Sequence, residues 1–536
     1  MASSPTSFYD VLIIGAGHNG LVAAAYLARA GLRVLVLERR AVVGGAVVTE
    51  EVFPGFRVST LSYVLSLFRP RILSDLKLQA YGFRVLTRNP SSFTPLPERG
   101  YLFLGPDREW TLREITKFDP RDAEAYVAYE KALDTLARVL EPWLDRTPPR
   151  LPLPRVRDWG FLLWWLRRIV GLGQEIYELA RLLVGDANSL LDRYFRSEVL
   201  KATLATDAVI GAWATPSMSG TAYVLFHHVM GESGGARGVW GYVQGGMGAL
   251  TQALARAAQA HGAHILTRAP VARILVREGR AYGAVLEDGR EFRAYAVLSN
   301  ATPAVTFLHL LAEGELPADF VAQVRAIPHP AGVAKIHLAL KGLPNFRALP
   351  GTEPGPQHRG TIHIAPTRAD IEAAFAEAFQ GRLPQRPMLE LTLPSVVDPT
   401  VAPEGKHLMQ MFVQYVPYQP VEGPWPQVKE AFLQRCLQLL AEYVTNLWDI
   451  VEDAHILTPL DLEQEYGLTG GNIFHGAMTP DRLFVFRPVP GYADYRTPLR
   501  GLYLCGSGAH PGGGVMGAAG ANAAREVLRD WPRLTR

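Results

Sequence analysis

The 536-residue sequence predicts an α/β protein with one parallel-sheet domain and a second, discontinuous α+β domain. A strand-helix-strand pattern opens the chain at residues 9–37, and a strand, a glycine-rich turn and an Ala-rich helix follow residue 501. The chain is also longer than one hydrophobic core usually supports. We therefore expect two or three domains, the first of them assembled from distant parts of the chain.

The opening pattern consists of apolar runs at residues 9–14 and 33–37 with a helical stretch at 21–30 between them. Neither run alternates polar with apolar residues, as expected for parallel strands covered on both faces. Gly31 stands where a helix end favours a left-handed residue. This order is typical of a Rossmann-type β-α-β unit, which binds nucleotides.

The turn after the first strand reads Gly15-x-Gly17-x-x-Gly20, with His18 and Asn19 inside it. In such a turn the first glycine makes the bend, the second lets a pyrophosphate approach the backbone, and the third permits close packing of helix on strand. We expect all five residues to contact a dinucleotide. The motif alone is weak evidence, because glycine-rich turns are common.

Glu38 strengthens this interpretation, because it ends the second strand about 20 residues later, where a carboxylate can accept hydrogen bonds from ribose hydroxyls. Its charge disfavours the 2′-phosphate of NADP, although Arg39 beside it leaves some ambiguity. Gly44 and Gly45 form a second close-approach pair after this strand. A plain NAD dehydrogenase has little use for such a pair, so FAD is favoured.

The same segments resemble the FAD-binding signature of the phytoene desaturase and amine oxidase superfamily, and residues 502–517 are similar to the closing motif of bacterial carotenoid desaturases. Residues 53–56, 65–70, 227–231 and 470–476 look like the branch called pyridine nucleotide-disulfide oxidoreductase domain-containing protein 2. The resemblance spans nearly the whole chain. It implies a glutathione-reductase-like FAD domain and an oxidoreductase enzyme.

The resemblance also implies further FAD contacts. The closing helix would direct its N-terminus at the flavin, where negative charge develops on reduction. A valine would meet the adenine through its backbone, and the chain would return to the flavin after two more strands. The matching residues are Val271, Asn300, Gly506, Ser507, Gly513, Gly514, Val515 and Met516.

Cys436 and Cys505 are the two cysteines of the sequence, and they are far apart. Two distant cysteines without a CxxC pair support neither a disulfide framework, a thiolate zinc site nor a redox dithiol. Cys505 lies within a strand, and the Ser-Gly-Gly-Cys-Tyr stretch that carries covalent flavin in some amine oxidases is absent. We therefore expect the FAD to be bound non-covalently.

Histidines are the candidates for acid-base chemistry, because imidazole titrates near neutral pH. His475, His227 and His228 are weak candidates, and His510 is a fourth histidine near a motif. The alternative is that each is satisfied by hydrogen bonds at a domain interface, and His475 is our preferred exception. No spacing of ligand residues indicates a metal, so none is expected.

The predicted FAD-binding domain comprises residues 1–70, 235–301 and 455–536. The predicted substrate-binding or cap domain comprises residues 71–234 and 302–454, in which proline-rich loops separate helical segments at 123–140 and 174–183 and strands at 333–340 and 407–416 are followed by a helix at 428–447. The active site is expected in the crevice between the domains.

Basic and acidic residues number 54 and 51, so nothing in the charge favours nucleic acid as a partner. The sequence shows no signal peptide, and we expect a cytoplasmic location. The stretch from Trp159 to Ile169 is far shorter than the roughly 20 residues of a membrane-spanning helix. It suits an interfacial helix, although packing on the chain's own core or on a second subunit is an alternative.

The expected reaction is removal of a hydride from an apolar, isoprenoid- or carotenoid-like substrate, with oxygen or a quinone as electron acceptor. The sequence contains no second complete dinucleotide-binding motif, so we do not predict an NAD(P)H site. Two alternatives remain open: redox-neutral isomerisation of a polyene, and a flavin-stabilised protein that regulates or binds partners without catalysis. The sequence does not identify the substrate or the oligomeric state.

Overall fold

The computed structural model describes residues 7–97, 100–151, 156–233 and 236–536. The predicted domain limits at residues 1, 234 and 235 lie outside these ranges. The strands in the described part are β1 (Ser7–Ile14), β2 (Val34–Leu37), β3 (Thr49–Phe53), β4 (Phe56–Ser59), β5 (Val85–Leu86), β6 (Ser92–Pro95), β7 (Tyr101–Leu104), β8 (Glu232–Ser233), β9 (Ala236–Arg237), β10 (Tyr242–Val243), β11 (His264–Leu266), β12 (Val271–Arg277), β13 (Arg280–Leu286), β14 (Glu291–Ser299), β15 (Ala334–Leu340), β16 (Thr361–Ile364), β17 (Met388–Thr392), β18 (His407–Gln414), β19 (Val451–Leu457) and β20 (Leu502–Leu504).

The α-helices in these ranges differ in role: the first, tenth and last cover the parallel sheet, and the third to ninth form a helical layer. They are α1 (His18–Arg29), α2 (Pro70–Asp75), α3 (Arg108–Thr116), α4 (Pro120–Leu144), α5 (Val156–Gly171), α6 (Glu175–Val184), α7 (Ala187–Tyr194), α8 (Glu198–Thr206), α9 (Thr221–Val229), α10 (Gly248–Ala260), α11 (Ala318–Arg325), α12 (Arg368–Phe379), α13 (Trp425–Ala441), α14 (Leu447–Ile450), α15 (Pro459–Tyr466) and α16 (Ala518–Leu534).

The first sheet collects strands from both ends of the chain. Its order is β11-β2-β1-β14, with β20 paired to the later part of β14 and the antiparallel β13 and β12 attached to its earlier part. Strands β11, β2, β1, β14 and β20 pair with one another in parallel, in this order. Strand β1 is fully buried from Val11 to Ile13, as its apolar sequence predicts for a strand with a helix on each face.

The second sheet has the order β19-β15-β18-β17-β16-β6-β7 and is largely antiparallel. Strands β15, β17 and β18 are apolar and buried along most of their length, because α13 and its neighbours pack on one face. The helices from α4 through α9 share a separate hydrophobic core, against which α12 also packs. The cavity described below lies between the two sheets and this helical layer.

Two of the domain limits lie at different residues in the structure from those that the sequence predicts. Strand β19 pairs with β15 in the second sheet, so the limit at residue 455 falls inside a strand of the substrate domain. Conversely, Phe307, Leu316 and Phe320 pack in the core of the first sheet, beyond the predicted limit at 301. Domain membership follows the core that buries a segment, and hydrophobic periodicity alone does not show which core that is.

Candidate active site

One cavity of about 1150 Å³ runs from the glycine turn of the first sheet to the surface of the second sheet. This volume exceeds that of most small-molecule pockets, which hold roughly 300–1,000 Å³. Its first end is lined by the turn after β1, the end of β2 and the start of β12. Its second end is lined by β15 to β18 and by helices α4 and α8. The cavity can hold a dinucleotide and a second molecule together.

The turn after β1 places bare backbone at the cavity wall. Gly15 has φ +93°, a left-handed conformation that side chains disfavour, and a Cβ on Gly20 would lie 2.2 Å from the Gly15 carbonyl oxygen. Gly17 is the N-cap of α1, and no side chain there satisfies the helix N–H groups. Those N–H groups are therefore free to donate to an anion, as a pyrophosphate requires.

The second glycine pair lies beside the first. Gly17 and Gly44 form an isolated parallel bridge, and a Cβ on Gly45 would lie 3.3 Å from the Gly17 Cα. The bridge brings the segment after β2 against the N-terminus of α1. Two stretches of bare backbone thus meet where the predicted pyrophosphate would lie.

Glu38 is buried at the end of β2, and both of its carboxylate oxygens accept backbone N–H groups. The amide of Ala16 donates to Oε2 at 2.7 Å and that of Arg40 donates to Oε1 at 2.9 Å. Each oxygen keeps a free lone pair for a ribose hydroxyl. Arg39 is exposed and donates to the carbonyls of Gln464 and Glu465, so its side chain ties β2 to α15.

The later FAD-contact candidates converge on the same turn. The Asn300 amide donates to the Gly15 carbonyl at 3.4 Å, and the Asn19 amide donates to Ser507 Oγ at 3.3 Å. A Cβ on Gly506 would lie 2.6 Å from the Asn300 carbonyl oxygen. Val271 lines the same cavity at the start of β12.

The closing motif divides between cavity and core. Gly514 and Val515 line the cavity. Met516 is buried against Leu67, and a Cβ on Gly513 would lie 2.1 Å from the ring of Phe474. Ser507 of the same motif also lines the cavity, so parts of the motif face the space where the flavin is expected.

The residues present fit FAD. Among the described residues, Asn19 Oδ1 and Arg40 Nη1 are buried beside the cavity without a hydrogen-bond partner, and a bound dinucleotide would supply partners for them. His18 is half-buried there, and desolvation of its ring lowers its pKa to about 4 while a hydrogen bond to the Gly514 backbone opposes the shift. The glycine turns, Glu38 and these unpaired atoms would hold the pyrophosphate, the ribose and neighbouring polar groups.

The predicted acid-base histidines are placed differently from one another. The Nε2–H of His227 donates to the Gly513 carbonyl at 3.2 Å and the ring does not line the cavity, whereas His228 lines it but donates to the carbonyls of Asp207 and Val224. His475 lines the cavity with φ +59°, and its Nδ1 has no partner among the described residues. His510 donates to the Trp143 carbonyl.

Burial keeps these histidines neutral. It lowers the pKa of His227 to about 3, that of His228 to about 4 and that of His475 to about 3. In the described ranges no three His, Cys, Asp or Glu side chains converge as metal ligands. Of the four predicted candidates, His475 is thus the one that both lines the cavity and has a buried nitrogen without a partner among the described residues, and it stays a candidate.

A row of side chains on the second sheet, which the sequence analysis missed, forms the far wall of the cavity. Lys335 pairs in register with Phe412, Phe412 with Glu390, and Glu390 with His363. Cross-strand partners project from the same face of a sheet, and all four line the cavity. The signal in the sequence was a lysine within a strand, residues 334–340, that is apolar apart from Lys335 and His337.

Tyr63 joins the two charged members of this row. Its hydroxyl donates to Glu390 Oε1, and Lys335 Nζ lies 3.7 Å from the centroid of its ring. Among the described residues, neither Lys335 Nζ nor Glu390 Oε2 has a hydrogen-bond partner, although both are buried. A buried donor and a buried acceptor are thus available to a ligand.

Burial shifts the pKa values of this wall toward neutrality. It lowers the pKa of Lys335 to about 7, opposed by the charge of Glu390. It raises the pKa of Glu390, opposed by the Tyr63 hydrogen bond, and raises that of Asp207 to about 7. Shifts of this kind, in a cavity, are typical of groups that exchange protons during a reaction.

The apolar and aromatic part of the remaining wall comes from α4, α8 and the loops around residues 240 and 473. Its members are Tyr126, Val127, Tyr129, Leu133, Leu204, Ile210, Val229, Val239, Trp240, Val333, Leu468, Ile473 and Phe474. Cys505 lies behind the cavity, fully buried, and burial raises the pKa of its thiol far above the ordinary value. The cavity is therefore shaped for an apolar molecule with a few polar contacts at one wall.

Arg487 holds the closing motif against the loop that contains His475, and sequence reasoning missed it. Its guanidinium is buried and donates to the carbonyls of Ser507 at 2.9 Å, Phe474 at 2.5 Å and Ala477 at 3.1 Å. Burial lowers its pKa to about 10, so it stays a cation at neutral pH. One side chain thus satisfies carbonyls of two segments that line the cavity.

We expect Arg487→Met to lower the free energy of unfolding by about 3–5 kcal/mol, because several buried carbonyls lose their donor. The measurement is urea unfolding of the FAD-loaded protein. Arg482→Met is the control, since Arg482 makes one long bond to the Ala326 carbonyl and an ion pair with the exposed Asp481, and its effect should stay below about 1 kcal/mol. Equal midpoints for the two variants would contradict this role for Arg487.

Comparison with known proteins agrees with this site. Residues 177–528 match the family model described as flavin containing amine oxidoreductase, and residues 13–76 match the NAD(P)-binding Rossmann-like domain. Pyridine nucleotide-disulfide oxidoreductase domain-containing protein 2 of Rattus norvegicus is 47% identical over 547 residues, covering 98% of this chain and 94% of the relative.

More distant relatives are similar over the same length. A limonene dehydrogenase subunit of Castellaniella defragrans is 28% identical, covering 97% of this chain and 94% of the relative. Prolycopene isomerase 1 of an Oncidium hybrid cultivar is 25% identical, covering 97% and 84%. The crystal structure of an oxidoreductase from Methanosarcina mazei, 19% identical, shares the fold with a TM-score of 0.59 over 97% of this chain and all of that one.

These findings confirm the superfamily, the fold class and FAD as the cofactor that the sequence predicted. The contacts of individual residues with FAD stay predictions, which the geometry above makes specific. The chain belongs to the flavin containing amine oxidoreductase family and is an FAD-dependent oxidoreductase.

Proposed function

We propose that the enzyme removes a hydride from a C–H bond of a mainly apolar organic substrate held between the two sheets. The observation that supports this most is the continuity of the cavity, which joins the dinucleotide-binding turn to an apolar chamber of the second domain. A substrate there would be dry and close to the cofactor. Orientation and exclusion of water are the main contributions that this chain can make.

Bound FAD supplies the acceptor for the hydride. The proton lost as the substrate's new double bond forms needs an acceptor in the dry chamber, and Lys335 in its neutral form can take it at Nζ. Tyr63 and Glu390 would position that amine and stabilise the resulting cation. We propose oxygen or a quinone as the final acceptor of the two electrons. Removal of a hydride and a proton requires no protein nucleophile.

The relatives guide the choice of substrate. One relative is named after limonene, a terpene hydrocarbon. The apolar wall of the cavity in this chain suits the same chemical class. We extend the proposal to non-covalent attachment of the flavin, since Cys505 is buried within the protein core. We propose a cytoplasmic enzyme; both of its cysteines are free thiols, as in a reducing compartment.

The first test is an absorption spectrum of protein purified without added cofactor, followed by denaturation. FAD bands that leave with the supernatant would support non-covalent binding. Anaerobic mixing with limonene, a longer isoprenoid or cyclohexylamine then shows which class bleaches the flavin. Bleaching by a terpene or isoprenoid supports the proposal, and bleaching by the amine alone overturns the apolar substrate class.

Polyene isomerisation is the second candidate, favoured by the likeness to prolycopene isomerase 1. It predicts that a cis-polyene changes its double-bond geometry with no net consumption of an acceptor. Product analysis by chromatography under nitrogen separates the two reactions. A dithionite-reduced flavin that no acceptor reoxidises would instead favour a non-catalytic protein.

A further inference from the structure

We propose that the face formed by α4, α5 and α16 docks on the surface of a membrane that contains anionic phospholipid. This goes beyond the oxidoreductase reaction and does not depend on it. Two neighbouring features support it: an apolar stripe on α5, and an arginine-lined cavity beside that helix. We call the two together the docking face.

The stripe consists of exposed apolar side chains at alternating spacings of three and four residues, which places them on one side of a helix. Its members and their exposed fractions are Val156 91%, Trp159 52%, Leu163 55%, Leu166 53% and Val170 69%. On the opposite side of α5, Trp165 packs on Trp143 with ring centroids 4.9 Å apart. The helix thus uses one side for the chain's own core and leaves the other uncovered.

The arginine-lined cavity measures about 760 Å³ and lies between α2, α4, α5 and α16. Its described wall holds seven arginines against three acidic side chains, Glu141, Asp145 and Asp158, and the arginines are Arg69, Arg71, Arg138, Arg146, Arg168, Arg525 and Arg529. Four of the arginines form ion pairs, Arg69 with Asp145, Arg71 with Asp75, Arg138 with Asp134 and Arg529 with Glu526. The positive charge that favours an anion therefore comes mainly from Arg146, Arg168 and Arg525. Planar guanidinium groups match the oxygens of a phosphate with paired N–H donors.

The cavity and the stripe belong to one surface. Phe161 of α5 lines the cavity, and the Arg146 guanidinium lies 4.5 Å from the centroid of its ring. Arg168, also on α5, donates to the Arg138 carbonyl of α4 at 3.0 Å. A lipid surface offers acyl chains and phosphates side by side, and this combination matches an apolar stripe flanked by arginines.

The position of the docking face also matches the opening of the large cavity. That cavity reaches the surface among the exposed side chains of Arg108, Glu130 and Lys131, and it includes Asp134 of α4. Asp134 forms an ion pair of 2.8 Å with Arg138, which lines the arginine cavity. An apolar molecule leaving the membrane would thus enter the enzyme about one turn of α4 from the lipid surface.

None of the helices in the described part of the chain has both the length and the apolar character that crossing a bilayer requires. The test is therefore peripheral binding: flotation of the FAD-loaded protein with vesicles of phosphatidylcholine alone, or with about one third phosphatidylglycerol. We expect binding to the anionic vesicles only, weakened by added salt because Arg–phosphate attraction is screened.

Two double variants divide the contributions. Arg71→Ala with Arg138→Ala removes exposed charges and should weaken partitioning about 25-fold, at about fivefold per charge. Leu163→Asn with Leu166→Asn should weaken it at least tenfold by removing apolar contact. Phe379→Asn with Arg386→Ala is the matched control, since both residues are exposed elsewhere, and should change nothing.

Bound flavin and the thermal unfolding midpoint show that each variant is folded. Equal binding to neutral vesicles, no binding to either kind, or a dimer whose association needs Leu163 and excludes lipid would each overturn the proposal. No substrate is added in these assays. A failure here therefore leaves the proposed reaction untouched, and a failure of the reaction leaves vesicle binding to be measured.

Discussion

Lys335→Met should leave FAD bound, slow turnover about 10²- to 10⁴-fold and raise the stability of the protein. The rate falls because the substrate proton loses its acceptor. The stability rises because a buried amine without a hydrogen-bond partner, which is costly to desolvate, is replaced by an apolar side chain of similar size. Opposite changes in rate and stability mark a residue kept for chemistry.

The lowered pKa of Lys335 predicts how both the stability and the turnover of the enzyme change with pH. Folding lowers the pKa of Lys335 from 10.5 to about 7, so between these values the unfolded chain binds a proton that the folded chain does not. Stability therefore rises with pH across this window, and the variant should lose that slope. Turnover of the natural enzyme should rise with pH through about 7 as the amine becomes neutral.

Steady-state rates and thermal midpoints from pH 5 to 10 check this prediction. Lys201→Met is the matched control, because Lys201 is also buried but is paired with Asp192 at 2.8 Å. That change should lower stability and leave the rate unchanged. A Lys335→Met enzyme with the natural rate and pH profile would show that the lysine takes no part in the reaction.

Glu38→Gln should weaken FAD binding by about two orders of magnitude or more. The carboxylate accepts the N–H groups of Ala16 and Arg40, and hydrogen bonds to a charged group contribute about 1.5–3 kcal/mol each. An amide nitrogen cannot accept such bonds, so the turn that cradles the pyrophosphate would lose its shape as well as its ribose acceptor.

The loss of affinity is measured by titrating the apoprotein with FAD and monitoring the quenching of flavin fluorescence. Glu51→Gln is the control: it lies on the neighbouring hairpin, accepts the Gly55 N–H at 2.8 Å and is exposed. We expect it to bind FAD as the natural protein does. Glu38→Gln protein that is purified with a full complement of flavin would contradict the role of this carboxylate.

The nucleotide end of the site was predictable because its signals are local. The spacing of Gly15 to Gly20 and the acid that follows at Glu38 lie within one β-α-β unit, whose geometry is nearly fixed by short connections. The far wall was not predictable in the same way. Lys335 and Glu390 meet only through the register of β15, β18 and β17, which no single stretch of sequence reveals.

The histidines show a second limit. The free imidazole titrates near neutral pH, which made His227 and His228 candidates, but burial and carbonyl partners decide what each ring does. Likewise, nothing near Arg487 in the sequence indicates that its partners are carbonyls about 10 and 20 residues away on two loops. Such roles depend on tertiary contacts.

The contact between Asn19 and Ser507 joins residues 488 positions apart, and a Cβ on Gly520 would lie 2.0 Å from the Asn19 carbonyl oxygen. On the ribosome the N-terminal part of a chain emerges first. The glycine turn therefore leaves the exit tunnel long before β20 and α16, which complete its surroundings. A nascent chain stopped before residue 502 would lack them, so uptake of FAD is an event that follows translation of nearly the whole message, and prematurely terminated chains would not retain flavin.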